Sequence, residues 1–243
     1  MTASASQEQQ AALVADQSTT SSTALDAGNA ADHAYHVIEA RIVQIKYPPN
    51  YLLSEQQLSK ELEISRTPIR EALRRLADDK LIQILPRKGA FVTNIEIKQY
   101  LHLLDLRHQI ERFAAVRAAK RRTEKQSQRM QELVIELRAG IMAPDQAVFV
   151  YADKAYKDLI VEATGNPFIS GVIAPMHAHS RRFWYYHRSR WSQNEAQKAI
   201  NCHLKVMEAV AAGDEASADQ AVQDLFEYLE GFAMRVLKNE YTI

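Results

Sequence analysis

Hydrophobic positions along this chain fall into three regimes. Over roughly the first 30 residues large apolar side chains are almost absent and Ser, Thr, Ala and Gln dominate. Such a stretch cannot bury enough surface to offset the entropy of ordering, so a disordered tail is expected over residues 1–31. In the second regime short apolar periods alternate with turn residues. Ser54 followed by Gln57 is a capping-box pattern, and Leu58, Glu61 and Leu62 continue at helical spacing to a stop near Glu63. Ser65 then caps a second helix, with Pro68 in its first turn, where a missing N–H is tolerated, and Ile69, Leu73 and Leu76 as its buried stripe. Residues 81–85 and 90–93 are rich in strand formers and flank Pro86-Arg87-Lys88-Gly89, a turn with two cations at its tip.

From Asn94 onward the period is helical throughout. Asn94 is expected to cap a long helix carrying Leu101, Leu104, Ile110 and Ala114, and Thr123 with Gln126 to start another carrying Met130, Leu133 and Leu137. Pro144 and Asp145 open a third, which ends at Thr164-Gly165-Asn166-Pro167. Further helices are expected over about 167–188, 192–212 and 214–239, with Gly213 as the break between the last two. The expected fold is mainly α: a winged helix-turn-helix over 32–93 followed by an all-α antiparallel helical bundle over 94–243.

The second helix carries chemistry on its polar side. Arg66, Thr67, Arg70, Arg74 and Arg75 lie on or near the exposed face, and Arg66 and Arg70, four apart, point the same way. A guanidinium fork matches guanine O6 and N7 in the major groove, and a basic hairpin tip can lie against phosphates or enter a minor groove. Taken alone, a row of arginines is an ordinary solvated face. Here the helix, turn, second helix and hairpin occur in order.

Residues 37–92 resemble the DNA-binding domain of the GntR family of bacterial transcription regulators. The family signature runs valine-serine-arginine-threonine-proline-valine-arginine-glutamate-alanine-leucine, and this chain has ISRTPIREAL over 64–73, followed by Arg75-Leu76, Leu81-Ile82 and Gly89-Ala90-Phe91-Val92. The resemblance implies that Arg66 and Arg70 read guanines, that Thr67 contacts a phosphate, and that Lys88 and Gly89 form the wing tip. Ser65 and Arg75 join this expected DNA-binding set. Some members carry an Arg in the first helix where this chain has Gln56, which can still bond a base or a phosphate.

Composition adds an asymmetry. The 243 residues hold 30 Lys and Arg against 30 Asp and Glu, but residues 1–32 carry four acids and no Lys or Arg, and residues 33–93 carry ten bases against seven acids. The positive excess sits where DNA is expected and is modest, so specificity must rest on placed arginines and on dimerisation. A basic start followed by an apolar core is missing, no run of eighteen apolar residues occurs, and Cys202 is the single cysteine. These features point to a cytoplasmic protein with no membrane partner and no internal disulfide framework.

Residues 96–238 resemble the FCD domain, the all-helical effector domain of part of the GntR family, which often holds a metal and a small carboxylate. Arg107 and Glu111 match an Arg-x3-Glu pattern in its first helix, and HLKVMEAVAAGDEASA over 203–218 matches its penultimate segment. The family's metal pattern has an Asp and a His four apart on one helix, a second His at the start of the penultimate helix and a third in the last. Asp153 and His203 match. Lys157 stands where the first His belongs, and Leu225 stands at the last. One carboxylate and one imidazole are too few for a divalent ion, so no metal or other cofactor is expected, His177 and His179 being read as surface or core residues. Lys157 and Arg107 are instead expected to grip a small organic anion, with Asp153 and His203 orienting Lys157 or bonding the effector.

Plainer readings stand beside these. Asp153 and Lys157 also have the spacing of an ordinary helix ion pair, His203 lies on an apolar stripe, and the Arg-Arg-aromatic run over 181–187 reads equally as core or dimer surface. The functional expectation is a homodimeric regulator that binds double-stranded operator DNA under control of a small carboxylate-like effector. An architectural DNA-binding dimer with a vestigial pocket is the alternative. Enzymatic use of Asp153, Lys157 and His203 lacks a nucleophile or cofactor loop.

Overall fold

The computed structural model describes residues 29–140, 147–187 and 193–240. They divide into two compact units that meet between Asn94 and Ile95.

The first unit begins with helix α1, residues 29–43. Ala31, Ala34, Ile38 and Ile42 are buried at helical spacing along one side of it. Residues 29–31, expected in the tail, therefore belong to this helix; the rest of the expected tail lies outside the described residues. After a two-residue strand β1 (Leu52–Leu53), α2 (Glu55–Leu62) starts at Ser54, whose hydroxyl accepts from the Gln57 N–H at 3.4 Å, and ends at Glu63 in a left-handed conformation, φ 57°. α3 (Arg66–Asp78) follows from Ser65 and buries Pro68, Ile69, Ala72, Leu73 and Leu76.

Strands β2 (Ile82–Leu85) and β3 (Gly89–Val92) form the wing, and β3 also pairs antiparallel with β1, giving the order β1-β3-β2. Leu85 pairs with Gly89, so the loop is Pro86-Arg87-Lys88, one residue shorter than the expected turn. Gly89 has φ +99°, and a Cβ there would lie 2.9 Å from the Leu52 Cδ1 atom. The wing closes on β1 through a position where only glycine is unstrained.

The second unit contains six helices among the described residues: α4 (Ile97–Arg121), α5 (Glu124–Gly140), α6 (Ala147–Thr164), α7 (Ile169–His187), α8 (Gln193–Ala212) and α9 (Glu215–Glu240). Asn94 does not cap α4; Glu96 occupies the extended cap position and the helix begins at Ile97. The Thr123 capping box forms in both directions, its N–H donating to Gln126 Oε1 at 2.9 Å and its hydroxyl accepting from the Gln126 N–H at 3.2 Å. The predicted opening at Pro144 and Asp145 lies outside the described residues. Gly213, φ +78°, and Asp214, which accepts from the Ser217 N–H at 2.9 Å, turn α8 into α9 as a tight antiparallel pair.

α4 packs against α6, α7, α8 and α9, so the middle of α4 lies at the centre of the bundle. The core is aliphatic and aromatic, with Leu104, Met130, Leu133, Met207, Val210, Phe226 and Ala233 among its buried members. The 181–187 run is largely core: Phe183 and Arg182 are buried and the Trp184 ring stacks on Phe232, while Tyr186 stays exposed. Cys202 is half-buried against the same core.

Candidate functional site

Two places gather polar side chains that the fold does not require. In the first unit it is the outer face of α3 and the wing. Burial of Ile69, Leu73 and Leu76 sets the rotation of α3, and that rotation leaves Arg66, Thr67, Arg70 and Arg74 exposed. Gln56 is exposed in the first turn of α2, and Pro86, Arg87, Lys88 and Gly89 are exposed at the wing tip. Ser65 caps α3 with its backbone alone, which leaves its exposed hydroxyl without a cap bond.

Arg70 is held by Glu55 from α2: its Nε donates at 3.1 Å and its Nη2 at 2.9 Å to the two carboxylate oxygens. This bidentate pair lies at the surface, with the Arg70 side chain 70% exposed. Hydrogen bonding to Arg70 holds the Glu55 carboxyl below its usual range, with Arg66 contributing in the same direction. An exposed pair of this kind is worth roughly 0–1 kcal/mol, so a guanine can displace it.

Arg75 is placed differently from the expectation that it binds DNA. It turns back toward α1, with an ion pair to Asp32 and its guanidinium 4.5 Å from the centre of the Tyr35 ring. Tyr35 in turn donates to Asp79 at 2.6 Å. Together these contacts fasten α1 to α3, and nothing local in the sequence marks Arg75 for that role over the arginines beside it.

In the second unit a cavity of about 20 Å3 lies between α4, α6, α7, α8 and α9. Its polar lining is Glu111, Tyr156, Lys157, His177 and His203; its apolar lining includes Ile160, Ile173, Val206 and Leu225. Of the four expected effector residues, Lys157 and His203 line this cavity and Arg107 and Asp153 stand behind it. The space holds about one water.

Arg107 is 1% exposed. It donates through Nε to Glu111 Oε1 at 2.6 Å and through Nη1 to the Ser180 hydroxyl, and its guanidinium sits 5.1 Å from the centre of the Phe226 ring. Burial acts against its charge, but the Glu111 carboxylate outweighs that and keeps it protonated. Arg107 therefore anchors Glu111. It is not among the residues that line the cavity, which differs from the grip on an anion expected of it.

Asp153 takes a similar supporting place. Its Oδ2 receives Lys157 Nζ at 3.0 Å, and its Oδ1 lies 3.5 Å from His203 Nδ1. Asp153 is 5% and Lys157 8% exposed, so the pair is no solvated helix bridge. Burial would push the Asp153 carboxyl up, yet Lys157 and the histidines around it bring it down to about 2.

His177, which sequence reasoning set aside, enters from α7. Its Nε2 lies 2.9 Å from Glu111 Oε1. Burial and the nearby Lys157 bring His177 down to about 4, and burial brings His203 to the same value against the pull of Asp153. Both rings are therefore neutral near pH 7. Burial would raise the Glu111 carboxyl, but Arg107 and His177 hold it well below the carboxylate range.

Tyr156 was not singled out by the sequence either. It is 2% exposed, lines the cavity, and its hydroxyl has no hydrogen-bond partner among the described residues. Burial, reinforced by Asp153 and Glu111, raises its pKa well above normal, so it remains a donor.

The donor set does not fit the metal that the FCD resemblance implies. An ammonium stands among the two expected ligands, and His177 is engaged with Glu111. Among the described residues no group of three or more His, Cys, Asp or Glu side chains is placed to hold an ion. A divalent metal needs three or four protein ligands and repels a neighbouring ammonium.

Comparison with known proteins adds a lineage to this geometry. The FCD domain family matches residues 102–228, and the family described as bacterial regulatory proteins, gntR family, matches residues 30–92. The HTH-type transcriptional repressor RspR of Escherichia coli (strain K12) is 28% identical over 207 residues, 85% of this chain and 89% of that protein. The gluconate operon transcriptional repressor of Bacillus subtilis (strain 168) is 29% identical over 132 residues, 54% of each chain. Among solved structures, E. coli McbR/YncC shares the fold, with a TM-score of 0.75 at 17% identity over 86% of this chain and 98% of that one. Among the described residues no helix is long and apolar enough to cross a membrane. Matched by one family through its N-terminal helix-turn-helix and by the other through its C-terminal half, the chain belongs to the GntR family of bacterial regulatory proteins in its FCD-domain form, a line of transcription regulators rather than enzymes.

Proposed function

We propose that this chain is a homodimeric, cytoplasmic transcription repressor that reads operator DNA with its N-terminal unit, and whose operator affinity changes when a small organic acid binds in the cavity of its C-terminal unit. The observation that carries the reading is the outer face of α3: Arg66, Thr67 and Arg70 are exposed while the opposite face is locked into a core. A helix held so firmly can enter a major groove without refolding, and two guanidinium forks one turn apart suit two guanines of a half-site. Lys88 at the wing tip supplies a phosphate or minor-groove contact. The repressor names of the E. coli and B. subtilis relatives support repression.

Effector control requires the ligand to favour one arrangement of the DNA-binding units, since equal affinity for both shifts nothing. Lys157 and the Tyr156 hydroxyl provide donors for a carboxylate in the cavity, with His203 beside them, while the single N–H of the neutral His177 is taken by Glu111. Fluorescence anisotropy with duplex DNA from upstream of the chain's own coding sequence tests the reading. Wild type should bind that DNA far more tightly than a scrambled duplex, and small carboxylates should change the affinity. Equal binding to both duplexes would overturn it.

The narrowness of the cavity, about 20 Å3, favours a second reading, an architectural DNA-binding dimer with no effector. Specific DNA binding that no carboxylate alters would establish that reading in place of the first.

A further inference from the structure

Lys157 occupies the position that a metal-ligating histidine holds in the FCD pattern, and Leu225 occupies another, lining the same cavity. These replacements remove ligands and introduce a positive charge at one stroke. A buried ammonium needs a counter-charge, and Asp153 supplies it at 3.0 Å. Asp153 is thereby occupied on one oxygen by a cation that belongs to the chain itself.

The second observation is Tyr156. Its hydroxyl is buried in the cavity lining with no hydrogen-bond partner among the described residues. An orphaned buried donor costs free energy in the ligand-free protein, and it is satisfied by an acceptor placed in the cavity. Lys157 and Tyr156 are adjacent on α6, and both contribute to the lining of one small space.

We propose that this cavity is a metal-independent carboxylate site in which the Lys157 ammonium does the work of a bound cation, latched on Asp153 in the ligand-free protein and moving onto the ligand's carboxylate as the Tyr156 hydroxyl donates to it. The proposal deepens the effector reading and rests on it. The lysine side chain is the flexible element of the lining, so its displacement is also what enlarges a cavity that otherwise holds about one water. The three donors of the ammonium let it turn onto the ligand while Asp153 stays within its reach, so the aspartate keeps its counter-charge. A site of this kind selects small acids, since the latch offers one charge and little room.

Thermal-shift titration of the full chain with acetate, before and after exhaustive dialysis against a chelator, is the test. The wild type should be stabilised by acetate equally in both states and unaffected by zinc, nickel or manganese alone. Removing Lys157 alone strands a buried carboxylate and can unfold the unit, so the variant used is Asp153→Asn/Lys157→Met, which removes both charges. It should fold, by circular dichroism, and lose the acetate response. Tyr156→Phe should fold with equal or greater stability and bind acetate about tenfold or more weakly, the loss of one hydrogen bond to a charged group. An acetate response abolished by the chelator and restored by a divalent metal overturns the proposal. So does an Asp153→Asn/Lys157→Met variant that responds like wild type, in which case the effector reading survives and only the lysine assignment fails. No response to acetate in wild type overturns the proposal, and the effector reading is then decided separately by whether any small carboxylate changes the affinity for DNA.

Discussion

Arg107→Met is the perturbation for which the structure supplies a magnitude. The substitution keeps the stem volume and removes a guanidinium that makes two contacts to Glu111 Oε1, at 2.6 and 2.5 Å, and one to Ser180. Glu111 is left nearly buried, its side chain 12% exposed, with the His177 ring, neutral near pH 7, as its one hydrogen-bond partner among the described residues. Stranding one member of a buried ion pair costs about 3–5 kcal/mol. At about 2–4 °C per kcal/mol for a unit of this size, that is a fall of roughly 6 to 20 °C in melting temperature. The assay is urea denaturation followed by tryptophan fluorescence. Both tryptophans, Trp184 and Trp191, lie in the second unit, so the signal reports its unfolding and not that of the DNA-binding unit. Adding Glu111→Gln should recover about 2–3 kcal/mol, because the stranded charge is gone and the amide can still bond His177. A single variant losing less than about 1 kcal/mol, or a double variant whose loss is the sum of the two singles, would refute the view that Arg107 and Glu111 form a closed pair.

Three further predictions concern the DNA face and pH. Arg70→Ala should cost about 1–3 kcal/mol of discrimination at one position of each half-site, read by anisotropy against single-base operator variants; a loss equal for all sequences would make Arg70 a phosphate contact. Lys88→Ala should weaken binding at low salt and reduce the slope of log affinity against log salt by about one, whereas an unchanged slope means the wing stays clear of the duplex. The histidines set the pH behaviour of the second unit: the unfolded chain takes up protons near 6.5, but buried His177 and His203 do so only at about 4. Its stability should therefore be level above pH 6.5 and fall as pH drops toward 4, by about 3 kcal/mol for each ring acting alone. Asp153, at about 2, contributes a loss only below its unfolded value of 3.8. A His177→Gln/His203→Gln variant retaining the full fall between pH 6.5 and 4 would show that other groups produce it.

What the sequence made legible was local. Ser54 with Gln57 and Thr123 with Gln126 are capping pairs within four residues, the second of them reciprocal, and both helices begin there. The apolar stripe of α3 dictates which of its arginines are exposed, so that outer face could be read with almost no tertiary information. Helix α1 escaped because its buried side begins with Ala31 and Ala34, small residues that continue the composition of the tail. β1 escaped because two residues, Leu52 and Leu53, carry no period; only pairing with β3 defines it. The cavity depended on contacts between helices. His177 and Tyr156 lie on α7 and α6 among apolar neighbours, and nothing in their spacing shows that both face Lys157 and His203. The Arg107 and Glu111 pattern was visible, but whether such a pair turns to a ligand or closes on itself is decided by Ser180 and Phe226, 73 and 119 positions away in the chain.

Selection of binding sites from a random duplex library with the purified full-length chain tests the central claim most directly. A homodimer reading DNA through Arg66 and Arg70 should enrich a two-fold-related pair of half-sites, each containing guanine, spaced by about one helical turn, and the enrichment should collapse for Arg66→Ala/Arg70→Ala. Recovery of no common sequence, or of the same sequence by wild type and by the double variant, would contradict the account.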